Sequence, residues 1–176
     1  MKTDNARFED LRKRLNLAHL DHESGFFAVE RVSAIQVEAS DGHSAASNAI
    51  YYALSPDQPQ NHLHHLSSDD YHILIEGGPA DYFIFHPDAR VEKYTLGRNI
   101  EHGQRLMIPT PGACAKAIRL HKDANYLLVG SVVTPAYTPN RVTIGAGQSF
   151  IETYEGAADW ATPGFLKSLI GPNWID

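Results

Sequence analysis

A chain of 176 residues with 43% hydrophobic content is long enough for one domain with a real core and too short for two comfortable ones. Its formal charge of −6 argues against a nucleic-acid backbone as partner, and no apolar run approaches membrane-spanning length, so neither nucleic acid nor membrane is expected. The amino end lacks the apolar core of a signal peptide and the single cysteine, Cys114, permits no internal disulfide; together these predict a reducing, cytoplasmic setting.

In chain order, Asp4 is expected to cap a helix running to about Leu17. Phe8, Leu11 and Leu15 fall at helical spacing, and Arg12, Lys13 and Arg14 fill the exposed side. Residues 1–18 are therefore read as a helix packed on the outside of the domain. Ser24-Gly25 predicts a turn into a strand through about Val37, and the small polar residues of Ser40 to Ser47 predict a loop. Ala49 to Leu54 is a strand rich in aromatic and β-branched side chains, broken by the Ser55 to Gln60 segment with its two prolines. After Gly77-Gly78-Pro79 come a strand over Asp81 to His86, a hairpin turn at Pro87 to Arg90, and a return strand over Val91 to Leu96. Gly103 to Ile108, Lys116 to His121 and Tyr126 to Val133 continue the series, with a weak strand over Arg141 to Ile144. No helical pattern of 10 to 15 residues separates these strands, which predicts an all-β domain over 19–149 built from antiparallel sheets, in a sandwich or barrel. In the last stretch, 150–176, Phe165 and Leu169, and Leu166 and Ile170, sit four apart behind Pro163. That spacing predicts a short amphipathic helix covered by the barrel wall or by a second subunit.

The chemistry concentrates in Asn61 to Gly78, which holds His62, His64, His65 and His72 with Asp69 and Asp70. Strict alternation along a strand puts His62 and His64 on one face, and Asp70 beside His72 on one face of the next strand. If the two strands lie close, His62, His64, Asp70 and His72 converge as a divalent-metal site or as an acid–base dyad without metal. Gly145-Ala146-Gly147 lacks the strand–helix setting of a dinucleotide fingerprint and reads as a loop, and Cys114 has no placed histidine that would make it a nucleophile.

These segments resemble the cupin superfamily, and within it the small uncharacterised cupins of domain-of-unknown-function family 985. His22-Glu23-Ser24-Gly25-Phe26-Phe27 is similar to that family's His-Pro-Glu-Gly-Gly-Tyr-Phe, and Ile50-Tyr51-Tyr52-Ala53-Leu54 to its Ile-Tyr-Phe-Leu-Leu strand. His64 through Gly77 resembles its segment from His-Arg through Asp-Glu and Trp-His to Gly. His86-Pro87-Asp88, Leu96-Gly97, Gly103-Gln104-Arg105, Ile108-Pro109 and Val129 to Pro135 follow in register, so the similarity covers about 17–144. It implies a cupin jelly-roll β-barrel, flanked here by short N- and C-terminal helices, with a pocket at one end and commonly a homodimer. Two departures stand out: Asp70 takes the place of the superfamily's glutamate, and Lys116 aligns with its second-motif histidine. Lysine is a poor metal ligand at neutral pH.

The resemblance leaves two chemistries open. His62, His64 and Asp70 would make a two-histidine, one-carboxylate face for Fe, Mn, Ni or Zn, with His72 as a fourth ligand. Alternatively, the histidines are hydrogen-bonded groups of a polar cavity. The expected function is binding of a small polar metabolite in the barrel. If the protein is catalytic, a sugar-like or carbonyl isomerase or epimerase fits, with His64 or His72 and Asp70 as base, Lys116 stabilising an enolate, and Tyr52 or Tyr137 returning the proton. Glu23 and His62 join as ligand-binding residues, Glu23 by resemblance alone. A non-catalytic small-ligand binder and a metal-dependent oxygenase are the alternatives.

Overall fold

Alternating apolar and polar side chains, punctuated by turn residues, give strands that pair antiparallel throughout the computed structural model, which describes the backbone of residues 3–175 and the side chains from residue 6 onward. One sheet runs in the order β1 (Ala18–His19), β2 (Phe26–Val32), β5 (Asn48–Leu54), β12 (Leu127–Thr134), β7 (Asp69–Gly77), β10 (Met107–Thr110). The other runs β13 (Val142–Ile144), β6 (Gln60–Leu66), β11 (Ala115–Leu120), β8 (Ala80–Phe85), β9 (Val91–Leu96). Sequence neighbours repeatedly land in opposite sheets, as in β5 to β6 and β6 to β7, which is the jelly-roll winding. The two sheets face one another without closing into one hydrogen-bonded ring. Between them lies a core of Leu54, Tyr82, Ile84, Leu96, Ile108, Ile118, Leu127 and Val129, all fully buried.

Helices cover the outer faces. α1 (Thr3–Arg14) ends three residues before the expected Leu17, and packs Phe8 and Leu11 with Leu17 against Ala53 and Leu128 of the first sheet and Tyr126 just before β12. The Asp4 cap lies outside the described side chains. Arg7 holds Glu76 through two hydrogen bonds of 2.8 and 2.9 Å, pulling that carboxyl down to about 2. On the other side α3 (Pro163–Ile170) begins at Thr162, whose hydroxyl accepts the Phe165 N–H at 3.3 Å, with Pro163 in the first turn. Its apolar stripe of Leu166, Leu169 and Ile170 is buried with Leu63, Phe83, Phe85 and Ala117 on the outer face of the second sheet. The predicted C-terminal helix is therefore covered by this chain's own sheet. Leu166→Ala removes a fully buried side chain and is expected to lower unfolding free energy by about 2–5 kcal/mol in urea titration; a change below 1 kcal/mol would mean the helix is not docked. Among the described residues no helix is long and apolar enough to cross a membrane.

Four local expectations are corrected. The strand expected to reach Val37 stops at Val32. The Ser40 to Ser47 segment read as a loop holds a strand, β4 (Gly42–Ala45), which pairs as a hairpin with β3 (Gln36–Ala39) just before it; Gly42 opens β4 with φ +107°. Its small polar residues carry little apolar patterning; Arg141, a hundred positions away, ties it down by donating to Asp41 and, at 2.9 Å, to the Ser44 hydroxyl. The strand expected from Gly103 starts at Met107, after a 3-10 turn over Ile100–His102. A second helix, α2 (Gln148–Tyr154), was not expected; it forms because Phe150, Ile151 and Tyr154 pack with Phe85 and Trp160.

Candidate active site

Where the two sheets diverge, a cavity of about 190 Å³ opens. Its walls are largely apolar, from Leu20, Phe27, Val29, Ile50, Leu66 and Val133, while its polar part carries Asn61, His64, Asp70, His72, Lys116 and Ser131, with the buried Tyr52 and the more exposed Glu23 and Tyr137 completing the lining. Strand alternation on β7 turns Asp70 and His72 inward together, as the sequence predicts, and antiparallel pairing sets Ser131 of β12 opposite His72. Lys116 lies directly across the β6–β11 ladder from His64.

Alternation fails on β6. The β6–β11 register slips between Lys116 and Ile118, which pair with His64 and Asn61, so His62 and Leu63 together oppose a single residue. That bulge shifts the phase by one: Asn61 and His64 both line the cavity, while Leu63 joins the outer core and His62 turns outward, 3.0 Å from Gln60 Nε2 and beside Gly171. His62 is therefore separated from His64 and Asp70, and the proposed three-ligand face is not assembled. The bulge also frees the His62 N–H to hold the Glu23 carbonyl at 2.7 Å.

The polar part is a network that crosses from sheet to sheet. The Lys116 ammonium donates to Asp70 Oδ2 and, at 3.2 Å, to His72 Nε2; Ser131 donates to Asp70 Oδ1 at 2.8 Å. With Nε2 accepting, His72 Nδ1 carries the proton and donates to the Tyr82 hydroxyl at 2.8 Å. Burial would raise the Asp70 carboxyl, but the Lys116 ammonium against it outweighs burial and holds the group well below the ordinary carboxylate range. Burial, and then the adjacent ammonium, push His72 down, so its ring is neutral at neutral pH. His64 differs: Nδ1 donates to the His62 carbonyl at 2.9 Å, leaving Nε2 toward the cavity, 3.7 Å from Glu23 Oε2. Tyr52 spends its proton on the Ser24 carbonyl at 2.8 Å, and burial raises its phenol well above the usual value. Tyr137 is half exposed, and partial burial with Glu23 nearby raises its phenol too.

A divalent metal does not fit this donor set. Lys116 places a cation against the lone pairs of Asp70 and His72 that a metal would need, and the β6 bulge removes His62. Among the described residues no group of three or more His, Cys, Asp or Glu side chains is arranged to hold a metal ion. Sequence reasoning missed Tyr82 and Ser131. Ser131 carried a signal, a lone hydroxyl within the apolar run Leu127 to Val133; Tyr82 was one of several bulky residues on its strand. Cys114 is buried with Sγ 3.3 Å from His86 Nδ1, and burial pushes its thiol up, away from reactivity.

Comparison with known proteins agrees with this fold. Over 123 residues the chain is 28% identical to the uncharacterized protein YML079W of Saccharomyces cerevisiae, a match taking in 68% of this chain and 61% of the yeast protein, so the chain spans about three fifths of that relative. Among solved structures, a hypothetical protein from Leishmania major superposes with a TM-score of 0.76 at 25% identity, over 83% of this chain and 91% of that one. Protein SO0799 from Shewanella oneidensis gives 0.73 at 22% identity, over 83% and 89%. The family model described as cupin superfamily (DUF985) matches residues 9–144, most of the chain, and the protein belongs to that family of cupins.

Proposed function

We propose that the cavity binds a small carbonyl compound and moves a proton at the carbon next to the carbonyl, without a metal. The observation that carries this reading is the contrast between the two buried histidines. His72 has both ring nitrogens engaged, by Lys116 and Tyr82, whereas His64 Nε2 faces the cavity with the Glu23 carboxylate beside it at 3.7 Å. His64 is thus the base: Nε2 takes the carbon-bound proton, and the Glu23 carboxylate stabilises the imidazolium that results. The electron pair of the broken C–H bond becomes the carbon–carbon double bond of an enolate, whose oxygen takes the negative charge. Two of the three Lys116 protons go to Asp70 and His72, leaving the third for that oxygen. In an α-hydroxy ketone the hydroxyl proton then passes to the enolate oxygen, the former hydroxyl carbon becomes the carbonyl, and return of the proton from His64 to the former carbonyl carbon completes an isomerisation with no net redox change. Tyr137 keeps its proton at neutral pH and lines the cavity, where it hydrogen-bonds the ligand.

The test is hydrogen exchange. Neutral α-hydroxy ketones of three to six carbons, incubated with the protein in deuterium oxide, are expected to lose their α-proton signal in NMR spectra. His64→Ala should slow this by about 100-fold or more, the usual contribution of a positioned base. Ligand-induced shifts in the protein spectrum without any exchange would replace the isomerase reading by simple binding.

A further inference from the structure

We infer that Glu23 makes the cavity selective for uncharged, hydroxyl-bearing ligands of about ring size, and closes it to carboxylates and phosphates. The inference rests on the reading that this cavity holds a small ligand, and it goes beyond that reading by naming the ligand's charge and size. Imidazoles apart, the cavity carries two carboxylates, Glu23 and Asp70, against one ammonium, Lys116. Asp70 already engages that ammonium, and both groups are at most 4% exposed. An incoming carboxylate would have to compete with a fixed one for the same protons, in a site whose remaining charge is negative. The chain's overall charge of −6 opposes anions before they arrive.

Glu23 sits in a turn whose backbone is held at several points. His22 and Ser24 on either side of it adopt φ of +65° and +71°, followed by Gly25 at +88°, a run that non-glycine residues adopt only at some energetic cost. The turn is pinned by the His62 N–H and the Asn61 side chain, both on the Glu23 carbonyl, by Tyr52 on the Ser24 carbonyl, and by Asn173 on the His22 carbonyl at 2.6 Å. Gly25 is obligatory, since a Cβ there would meet the Tyr52 ring and the Ala53 carbonyl. The result is a carboxylate only 16% exposed which, among the described residues, accepts no hydrogen bond and has His64 Nε2 3.7 Å away. Such a group is satisfied by a donor on the ligand. A hydroxyl supplies that donor, while the apolar walls take the ligand's carbon skeleton. A cavity of about 150 Å³ accommodates benzene, so about 190 Å³ suits a six-membered ring with one or two polar substituents.

Two shape-matched probes test this by calorimetric titration of the full chain: 2-hydroxycyclohexanone and cyclohexanecarboxylate. The wild-type protein is expected to bind the hydroxy ketone at least tenfold more tightly than the carboxylate. Glu23→Gln should shrink that preference by at least tenfold by admitting the carboxylate, whereas Glu23→Asp, which keeps the charge, should retain the exclusion and also controls for damage to the turn. Equal affinity for both probes, no binding of the hydroxy ketone, or an unchanged ratio in Glu23→Gln would overturn the inference. The readout is binding alone, so absence of deuterium exchange with the ratio intact would remove the isomerase reading and leave the selectivity standing.

Discussion

Replacing Lys116 by methionine is expected to destabilise the protein by about 3–5 kcal/mol, the size of effect seen when one partner of a buried ion pair is removed. The reason lies in what remains. Asp70 would keep the Ser131 hydroxyl but lose the ammonium that outweighs its burial, leaving a charge in a site sealed between two sheets. Asp70→Leu should be similarly costly, because it strands the ammonium instead. The double variant Lys116→Met/Asp70→Leu is then expected to recover most of the loss, since a buried pair replaced by apolar groups of similar size is often close to neutral. A domain with about 5–15 kcal/mol of total stability could fail to fold as either single variant, and the double variant keeps the test decisive. Urea titrations of the three proteins measure the coupling. Additive losses, or a Lys116→Met loss below 1 kcal/mol, would mean that the two charges do not depend on each other and that Lys116 is free to act elsewhere. The single variant has its own pH signature. With the cation gone, burial raises the Asp70 pKa above its unfolded value, so the carboxyl protonates first in the folded state and the deficit narrows as pH falls through that raised value.

What could be read from the sequence and what could not divides along a physical line. Period-two alternation is a local property, and it correctly put Asp70 and His72 on one face of β7 and gave most of the strands of the jelly roll. The resemblance brought Lys116 and Glu23 into the site, and both line the cavity. The bulge at His62 and Leu63 was not legible, because nothing in Asn61-His62-Leu63-His64 itself requires it. It arises where β11 pairs out of phase and where the Glu23 turn takes the His62 N–H, contacts made with segments about 50 residues downstream and 40 upstream. One slipped residue moved a predicted ligand from the cavity to the outer surface, as a side-chain period of two demands. The β3–β4 hairpin and α2 were missed for a related reason. Each is held by distant partners, Arg141 in one case and Phe85 with Trp160 in the other, and neither advertises itself by composition. Charge pairing was also invisible: Lys116 as a cation could be read, but its contact with Asp70 exists only once two sheets are laid face to face.

Stability is expected to fall steeply on acidification below about pH 6.5, well before ordinary carboxylates titrate, and His72 is the principal cause. Its folded-state pKa is depressed below the unfolded value near 6.5, by burial first and the Lys116 ammonium second, so as pH drops the unfolded chain binds a proton that the folded chain refuses. Each such proton tilts the balance toward unfolding by about 1.4 kcal/mol per pH unit until the folded ring finally titrates. The groups facing His72 leave this sign in place. Lys116 from β11 opposes a second positive charge and His64 does so more weakly, the Tyr82 hydroxyl from β8 already accepts the Nδ1 proton, and Tyr52 from β5 contributes an aromatic wall; the Asp70 carboxylate, 3.3 Å from Nε2, pulls the other way but is outweighed by burial and the ammonium. His62, pushed down by partial burial, adds a smaller slope of the same sign from the outer surface. Asp70 follows at lower pH: its folded pKa is also depressed, so its contribution is complete above about pH 4 and is lost only as pH falls further. Unfolding free energies measured by urea titration between pH 7.5 and 5 should therefore show the slope, and His72→Asn, which keeps a donor and an acceptor without a titrating proton, should remove about 1.4 kcal/mol per pH unit of it. A slope unchanged in His72→Asn would place the sensitive proton elsewhere and release His72 from the neutral, fully engaged role that leaves His64 as the base.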